Sequence, residues 1–221
     1  MKESRKHPND ELLASYSAGS LPLSQALCIS THLEHCPDCT RKLRRLNRVG
    51  SELMQQLQPA PATDALKQRL LDRLDTLTDT PAPAVAEAAP EASIPRALRQ
   101  FVKKGYQDLS WRSVSANIQT VELCRDSNGA RVELLKIKPG GSAVTHTHLG
   151  DEYTVVLEGS FSDEDGLYAQ GDFVLRGKNE AHRPVATQDR ECICLAVTEG
   201  PIQFTGLFSR LLNPFIRRSY A

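Results

Sequence analysis

The stretch that decides the fold of this chain is PGGSAVTHTHLGDEYTVVLEG, which runs from Pro139 to Gly159. Its two histidines, His146 and His148, alternate, so both side chains point the same way if the segment is a strand. Glu152 follows after a turn, and a β-branched run continues beyond it. The glycines at either end are typical turn signals. We therefore predict a strand, turn and strand that present three metal-ligand side chains together.

A fourth candidate ligand, His182, returns from a later strand, 30 residues after Glu152. Three imidazoles and one carboxylate suit zinc, iron, manganese, nickel or copper, and spacing does not choose among these metals. Around the four residues, short β-branched segments alternate with glycines, which is typical of a closed β-barrel or a sandwich. The prediction is one divalent metal bound by His146, His148, Glu152 and His182 in a β fold.

Upstream, residues 81–97 are rich in Pro and Ala, a composition that favours an extended linker. The linker divides the chain into a helical part, residues 1–80, and a β part, residues 98–200. Residues 201–221 form a C-terminal tail that is apolar and basic between 207 and 218. We expect that stretch to be a helix packed on the barrel or, alternatively, a contact for a partner.

The helical part shows four segments with apolar residues at three- and four-residue steps. They begin near residues 12, 23, 37 and 63, and the fourth carries a stripe of leucines, Leu66, Leu70, Leu71 and Leu74. We expect the four helices to pack into a small bundle. A core of that size is marginal, and a structural metal is a common remedy.

A second group of candidate ligands lies in this helical part. His32 and Cys36 are four residues apart, so they share one helix face, and Cys39 falls in the first turn of the next helix. There the positive helix N-terminus is expected to lower the thiol pKa and to favour thiolate. Two thiolates with imidazoles fit tetrahedral zinc, and His7 is predicted as the fourth ligand. His35 is the alternative to His32.

The composition of the chain indicates its cellular compartment and argues against nucleic acid as a partner. The chain has 27 basic and 27 acidic residues, so its net charge is zero, and no DNA- or RNA-binding face is predicted. Its opening residues lack an apolar signal segment, and no apolar run is long enough to span a bilayer. We expect a cytoplasmic protein with reduced thiols. Cys28 and Cys124 are predicted to pack as small apolar residues, whereas a redox or metal role for Cys192 and Cys194 stays open.

These motifs resemble known families. The stretch His32 to Cys39, with His7 before it and a long basic and apolar helix after it, resembles the zinc-binding anti-sigma domain. Residues Pro139 to Gly159 look like the first cupin motif, and residues 171–182 look like the second. A helical zinc domain followed by a metal-binding cupin resembles the ChrR family of anti-sigma factors.

That resemblance implies an α + β protein of two domains, a small zinc-binding helical bundle and a cupin β-barrel. It implies that the first domain sequesters a sigma-E-like extracytoplasmic-function sigma factor, and that the cupin is needed to release it in response to singlet oxygen. Neither catalysis, direct nucleic-acid binding nor a membrane is expected. The outer helix faces are the expected contacts, including Arg41, Arg44, Arg45 and Arg48. The alternative is a cupin metalloenzyme, a dioxygenase or isomerase, with a helical docking domain.

Overall fold

The computed structural model describes residues 6–76, 94–206 and 213, and it places four helices before a β-rich part. The helices are α1 (Asp10–Ser17), α2 (Leu23–His35), α3 (Pro37–Gln55) and α4 (Asp64–Thr76). Two short 3-10 turns, Arg96–Leu98 and Tyr106–Asp108, follow them. The strands are β1 (Arg112–Ser113), β2 (Ile118–Arg125), β3 (Arg131–Ile137), β4 (His146–His148), β5 (Glu152–Glu158), β6 (Ser160–Asp163), β7 (Gly166–Ala169), β8 (Phe173–Arg176), β9 (Val185–Ala186), β10 (Cys192–Thr198) and β11 (Ile202–Phe204).

The first two helices are capped in different ways. At the start of α1 the side chain of Asn9 accepts a hydrogen bond of 2.8 Å from the amide of Leu12, a common N-cap arrangement. Helix α2 follows Pro22, which offers no side-chain cap. The carboxylate of Asp126, in the turn between β2 and β3, accepts from the Ser24 amide at 3.2 Å and from its hydroxyl at 2.7 Å. The start of α2 is therefore stabilised by the β part.

The strands form an antiparallel sheet of six, in the order β1, β2, β3, β10, β5 and β8. A three-stranded sheet, β7, β6 and β9, and a pair, β11 with β4, complete the described β part. A bridge between His146 and His182 ties the β4 strand to the loop before β9. This pairing brings residues from distant parts of the chain next to one another.

Both faces of the six-stranded sheet are buried. Leu195 and Val155 face one side, in a core that also contains Leu27 and Ile29 of α2. Cys194 and its neighbours on the other side pack in a second core against residues of the three-stranded sheet, such as Phe161. Alternation along a strand sends successive side chains to opposite faces, so β10 serves both cores. The helical part and the sheet consequently share one core.

The predicted order, a helical part and then a β part, is confirmed, and each predicted helix is present. The expectation that α4 completes the bundle is wrong, because Leu66, Leu70, Leu71 and Leu74 are all exposed, at 43–61%. The packed set comprises α1, α2 and α3. Residues 77–93, which include most of the predicted linker, and the predicted tail helix lie outside the described residues, so the domain boundaries stay predictions.

No described helix combines the length and the apolar character needed to cross a membrane.

Candidate metal centres

The structure brings together the four residues predicted to bind zinc in the helical part. The candidate ligand atoms of His7, His32, Cys36 and Cys39 all lie within 4.8 Å of one another. His7 Nδ1 is 3.4 Å from the sulfur of Cys36 and 3.6 Å from that of Cys39. His32 is on α2, Cys36 is the junction residue and Cys39 is in the first turn of α3. A corner between two helices thus gathers donors from three segments.

Burial shifts the pKa values of two members of this group, His32 and Cys39. Burial lowers the pKa of His32 to about 4, although its hydrogen bond to the Gly171 carbonyl opposes the shift, so the imidazole is neutral near pH 7. Burial and the adjacent Cys36 raise the pKa of the Cys39 thiol to about 12. The shift of the Cys39 pKa is therefore opposite to the one expected from the helix N-terminus, and burial is its largest cause.

His32 rather than His35 belongs to this group. The side chain of His32 is 1% exposed and its Nδ1 donates to the carbonyl of Gly171 at 2.7 Å. Its other nitrogen, Nε2, is buried without a hydrogen-bond partner among the described residues. A buried polar atom in that state is costly, so it fits a position where a metal would bind. His35 is exposed and lies against Gly171 instead.

The second predicted set also converges. The ligand atoms of His146, His148 and His182 lie within 4.8 Å of one another, and all three side chains are buried. One carboxylate oxygen of Glu152 is 3.1 Å from His148 Nε2 and 3.4 Å from His182 Nε2. The Nδ1 of His146 donates to the carbonyl of Val144 at 2.7 Å, which leaves Nε2 for a ligand. Strands β4 and β5 and the loop before β9 supply the four residues.

The electrostatics of the second set suit a cation. Burial and the neighbouring His182 lower the pKa of His146 to about 4. Burial raises the pKa of Glu152, but the adjacent imidazoles of His148 and His182 outweigh it, and the net shift is downward. The neutral form of His146 and the ionised form of Glu152 are the states in which these side chains coordinate a divalent metal. Nδ1 of His148 is buried and has no hydrogen-bond partner in the described part of the chain.

A small cavity beside this set is lined by Glu152, His182, Arg176 and Cys194. Arg176 donates to the carboxylates of both Asp163 and Asp165, so it is already engaged within the protein rather than offered to a substrate. The sulfurs of Cys192 and Cys194 lie 3.6 Å apart on the same face of β10 and are reduced. Of the other cysteines, Cys28 is buried as expected and Cys124 only partly.

Both donor sets thus fit metal ions. Two sulfurs with two imidazoles suit zinc, and three imidazoles with a carboxylate suit zinc or another transition metal. Metal binding by either set stays a prediction. Sequence reasoning missed the residues that surround the first set, namely Lys6, Gly171 and Phe173. The motif 171–182 contained Gly171, but nothing in it indicated contact with α2.

Comparison with known proteins agrees with this architecture. A family model described as the ChrR cupin-like domain matches residues 100–203. The anti-sigma-E factor ChrR of Cereibacter sphaeroides is 34% identical over 214 residues, which cover 96% of this chain and 98% of that protein. Among solved structures, that of Rhodobacter sphaeroides SigE in complex with the anti-sigma ChrR matches at 31% identity with a TM-score of 0.77. It covers 89% of this chain and 100% of the matched chain.

The match extends over nearly the full length of both chains and confirms the cupin-like fold of the β part. It is a match to an anti-sigma factor and not to an enzyme. The chain therefore belongs to the ChrR family of anti-sigma factors.

Proposed function

We propose that this chain sequesters a sigma-E-like extracytoplasmic-function sigma factor in the cytoplasm. The observation that carries the proposal is the full-length similarity to ChrR, one structure of which contains SigE. The zero net charge supports a protein partner rather than nucleic acid. The alternative of a cupin metalloenzyme is not retained, because the relative that spans the chain is an anti-sigma factor.

The helical part offers a surface for such a partner. Apolar side chains on the second half of α3, just after its end and on α4 are exposed at 43–71%. We call this set the α3–α4 apolar surface: Val49, Leu53, Met54, Leu57, Leu66, Leu70, Leu71 and Leu74. Eight exposed apolar side chains in two successive helical segments are more than isolated surface residues, and such sets typically mark a binding site. Four exposed arginines precede this surface on α3 and are proposed as polar contacts beside it: Arg41, Arg44, Arg45 and Arg48.

The sigma factor should bind less well when this surface becomes charged. The double variant Leu70→Asp, Leu74→Asp places two carboxylates where apolar contacts are proposed, and we expect about a hundredfold loss of affinity, as for two central interface residues. The matched control is Leu167→Asp, since Leu167 is 53% exposed on β7, in the other part of the molecule. Binding is measured by titrating a purified sigma-E-type factor. Equal affinities of both variants contradict the proposal.

The first donor set would hold zinc through His7, His32, Cys36 and Cys39. When bound, the ion supplies a cross-link between the N-terminal segment, α2 and α3. In small domains such a link contributes roughly 10 kcal/mol or more. The proposed role of these side chains is to fix the angle between α2 and α3, and so to keep the first half of α3 in place for its partner.

The second donor set is proposed as the part that responds to oxidative stress, including singlet oxygen. His148→Ala removes one buried imidazole next to Glu152, and the variant is expected to bind the sigma factor normally but to keep it bound when a photosensitiser generates singlet oxygen. Arg190→Ala is the control and should release as the unmodified chain does, because Arg190 is exposed before the start of β10, whereas Glu152 pairs with Thr198 at the far end of that strand. Normal release from the His148 variant would place the response elsewhere.

A further inference from the structure

Residues of the cupin-like part form hydrogen bonds with the first donor set and with its neighbouring residue Lys6. The carbonyl of Gly171, in the turn before β8, accepts the 2.7 Å hydrogen bond from His32 Nδ1. Two residues later the amide of Phe173 donates to the carbonyl of Lys6 at 2.9 Å, directly before His7. Two of the four donors are therefore held by a single short segment of the β part, residues 171–173.

The segment can act as a firm support because it is itself bonded to the sheet. The amide of Gly171 donates to the Val156 carbonyl of β5 at 2.8 Å, which fixes the direction of the Gly171 peptide. Strand β8 is at the edge of the six-stranded sheet, so the amide of Phe173 is available to Lys6.

The hydrogen bond to Gly171 selects one tautomer of His32. A carbonyl only accepts, so the proton must be on Nδ1, and Nε2 is left with its lone pair toward the other three donors. Partners of this kind orient an imidazole ligand and raise its basicity, and their loss typically lowers metal affinity 10- to 100-fold. Gly171 thus has the geometry of an outer partner of the proposed zinc site, supplied by the other part of the chain.

Only glycine allows this approach. Gly171 has φ +89°, and a Cβ built there would lie 2.6 Å from the Cβ of His35 on α2. Any side chain would push α2 away from the turn and lengthen the bond to His32. The close packing of α2 on the turn and the orientation of a proposed zinc ligand therefore depend on the same residue.

Other contacts hold α2 on the sheet without touching either donor set. Asp126 caps its first turn, and the side-chain amide of Gln25 donates to the hydroxyl of Tyr153 at 3.1 Å and to the carboxylate of Glu199 at 2.6 Å. Near its end, Glu34 accepts from the amide of Arg96 at 2.7 Å. These contacts set the position of α2 along its whole length.

We propose that Gly171 is a positioning residue for the first metal site, and that docking of α2 on the cupin-like part sets the metal affinity of that site. The inference rests on the proposed binding of metal by His7, His32, Cys36 and Cys39. Coupling of this kind is reciprocal, so metal at the site would in turn strengthen the docking. Communication between the two parts then runs through a direct contact at the zinc ligands.

The test uses the full chain loaded with Co²⁺. Absorption from thiolate-to-cobalt charge transfer reports on the first site alone, because the second donor set contains no thiolate. Cobalt is withdrawn with increasing chelator from the unmodified chain, from Gly171→Ala and from the control Gly166→Ala. Gly166 also has positive φ, +152°, but a Cβ there meets nothing within 4 Å. We expect Gly171→Ala to lose affinity about 10- to 100-fold, and the control to stay within about threefold.

Equal affinities of the two glycine variants would overturn the inference while leaving the metal site intact. If Gly171→Ala does not fold, as judged by circular dichroism, Asp126→Ala decides instead. It removes a cap far from the thiolates and should weaken cobalt binding by about two- to fivefold, so an unchanged affinity overturns the inference. Absence of the charge-transfer band from the unmodified chain would overturn the metal assignment, and the inference with it.

Discussion

At the scale of single residues, Arg176 shows how a charged side chain is stabilised by ion pairs inside the β part. Its guanidinium donates to Asp163 and Asp165, and to the hydroxyl of Tyr168 at 3.3 Å. The side chains of Arg176 and Asp163 are only 8% and 2% exposed. Because water reaches neither group well, each charge depends on the other for its stabilisation.

Removing this arginine should therefore destabilise the fold. In Arg176→Met the Asp163 carboxylate stays buried without its main partner, and the free energy of unfolding should fall by about 3–5 kcal/mol. Arg190→Met is the control, since Arg190 pairs with Asp189 at an exposed site and should change stability by less than about 0.5 kcal/mol. Urea unfolding at constant zinc concentration measures both. Similar midpoints for the two variants would contradict the expectation.

The candidate metal ligands could be identified from the sequence because metal sites use few residue types, often at short spacings. His32, Cys36 and Cys39 lie within eight residues, and the structure places them together with His7. Asp126 was beyond reach, since its partner Ser24 is 102 residues away and an aspartate in a turn has an ordinary local reason to be there. Local patterns carry no information on which distant element such a carboxylate will cap.

At the scale of elements, α4 is the helix whose burial is predicted least well by the periodicity of its apolar residues. Its leucines recur as in a buried helix, yet they are exposed. An apolar helix face that packs in a core and one that binds another protein have the same sequence period. The sequence alone therefore does not distinguish them. What separates them is whether the rest of the chain supplies a facing surface, and here the described residues do not.

Helix α4 should accordingly be stable only in the complex. An isolated helix of 13 residues is marginal in water, so the amides of Asp64–Thr76 should exchange with solvent within seconds in the free chain. Binding of the sigma factor should slow this exchange by orders of magnitude. The amides of α2, which packs on the sheet, are the internal control and should be protected in both states. Protection of α4 in the free chain would contradict this prediction.

At the scale of the whole molecule, the helical and β parts have a common core rather than two separate ones. Leu27, Cys28 and Ile29 of α2 are at most 5% exposed, and they pack with residues of β5 and β10. The linker composition predicted a division of the chain into two parts, but composition does not report on contacts between the segments that a linker joins. The packing of α2 on the six-stranded sheet can be recognised only from the structure.

The two parts should stay together after the backbone between them is cut. A protease site placed at residues 85–86 and cleaved in the folded protein should leave both fragments in one peak on size-exclusion chromatography, since separation would expose the apolar face of α2. Adding Leu27→Asp to the same cleavable chain is the comparison, and it should release the fragments. Fragments that separate without that substitution would contradict a shared core.

The long sequence distance across this interface also affects how the protein is made. The hydrogen bond from Gln25 to Glu199 joins residues 174 positions apart. A ribosome adds about 5–20 residues per second, so α2 emerges roughly 10–35 s before its last sheet partner exists. During that interval the apolar face of α2 is exposed on the nascent chain, so we expect chaperones to bind it until β10 is synthesised.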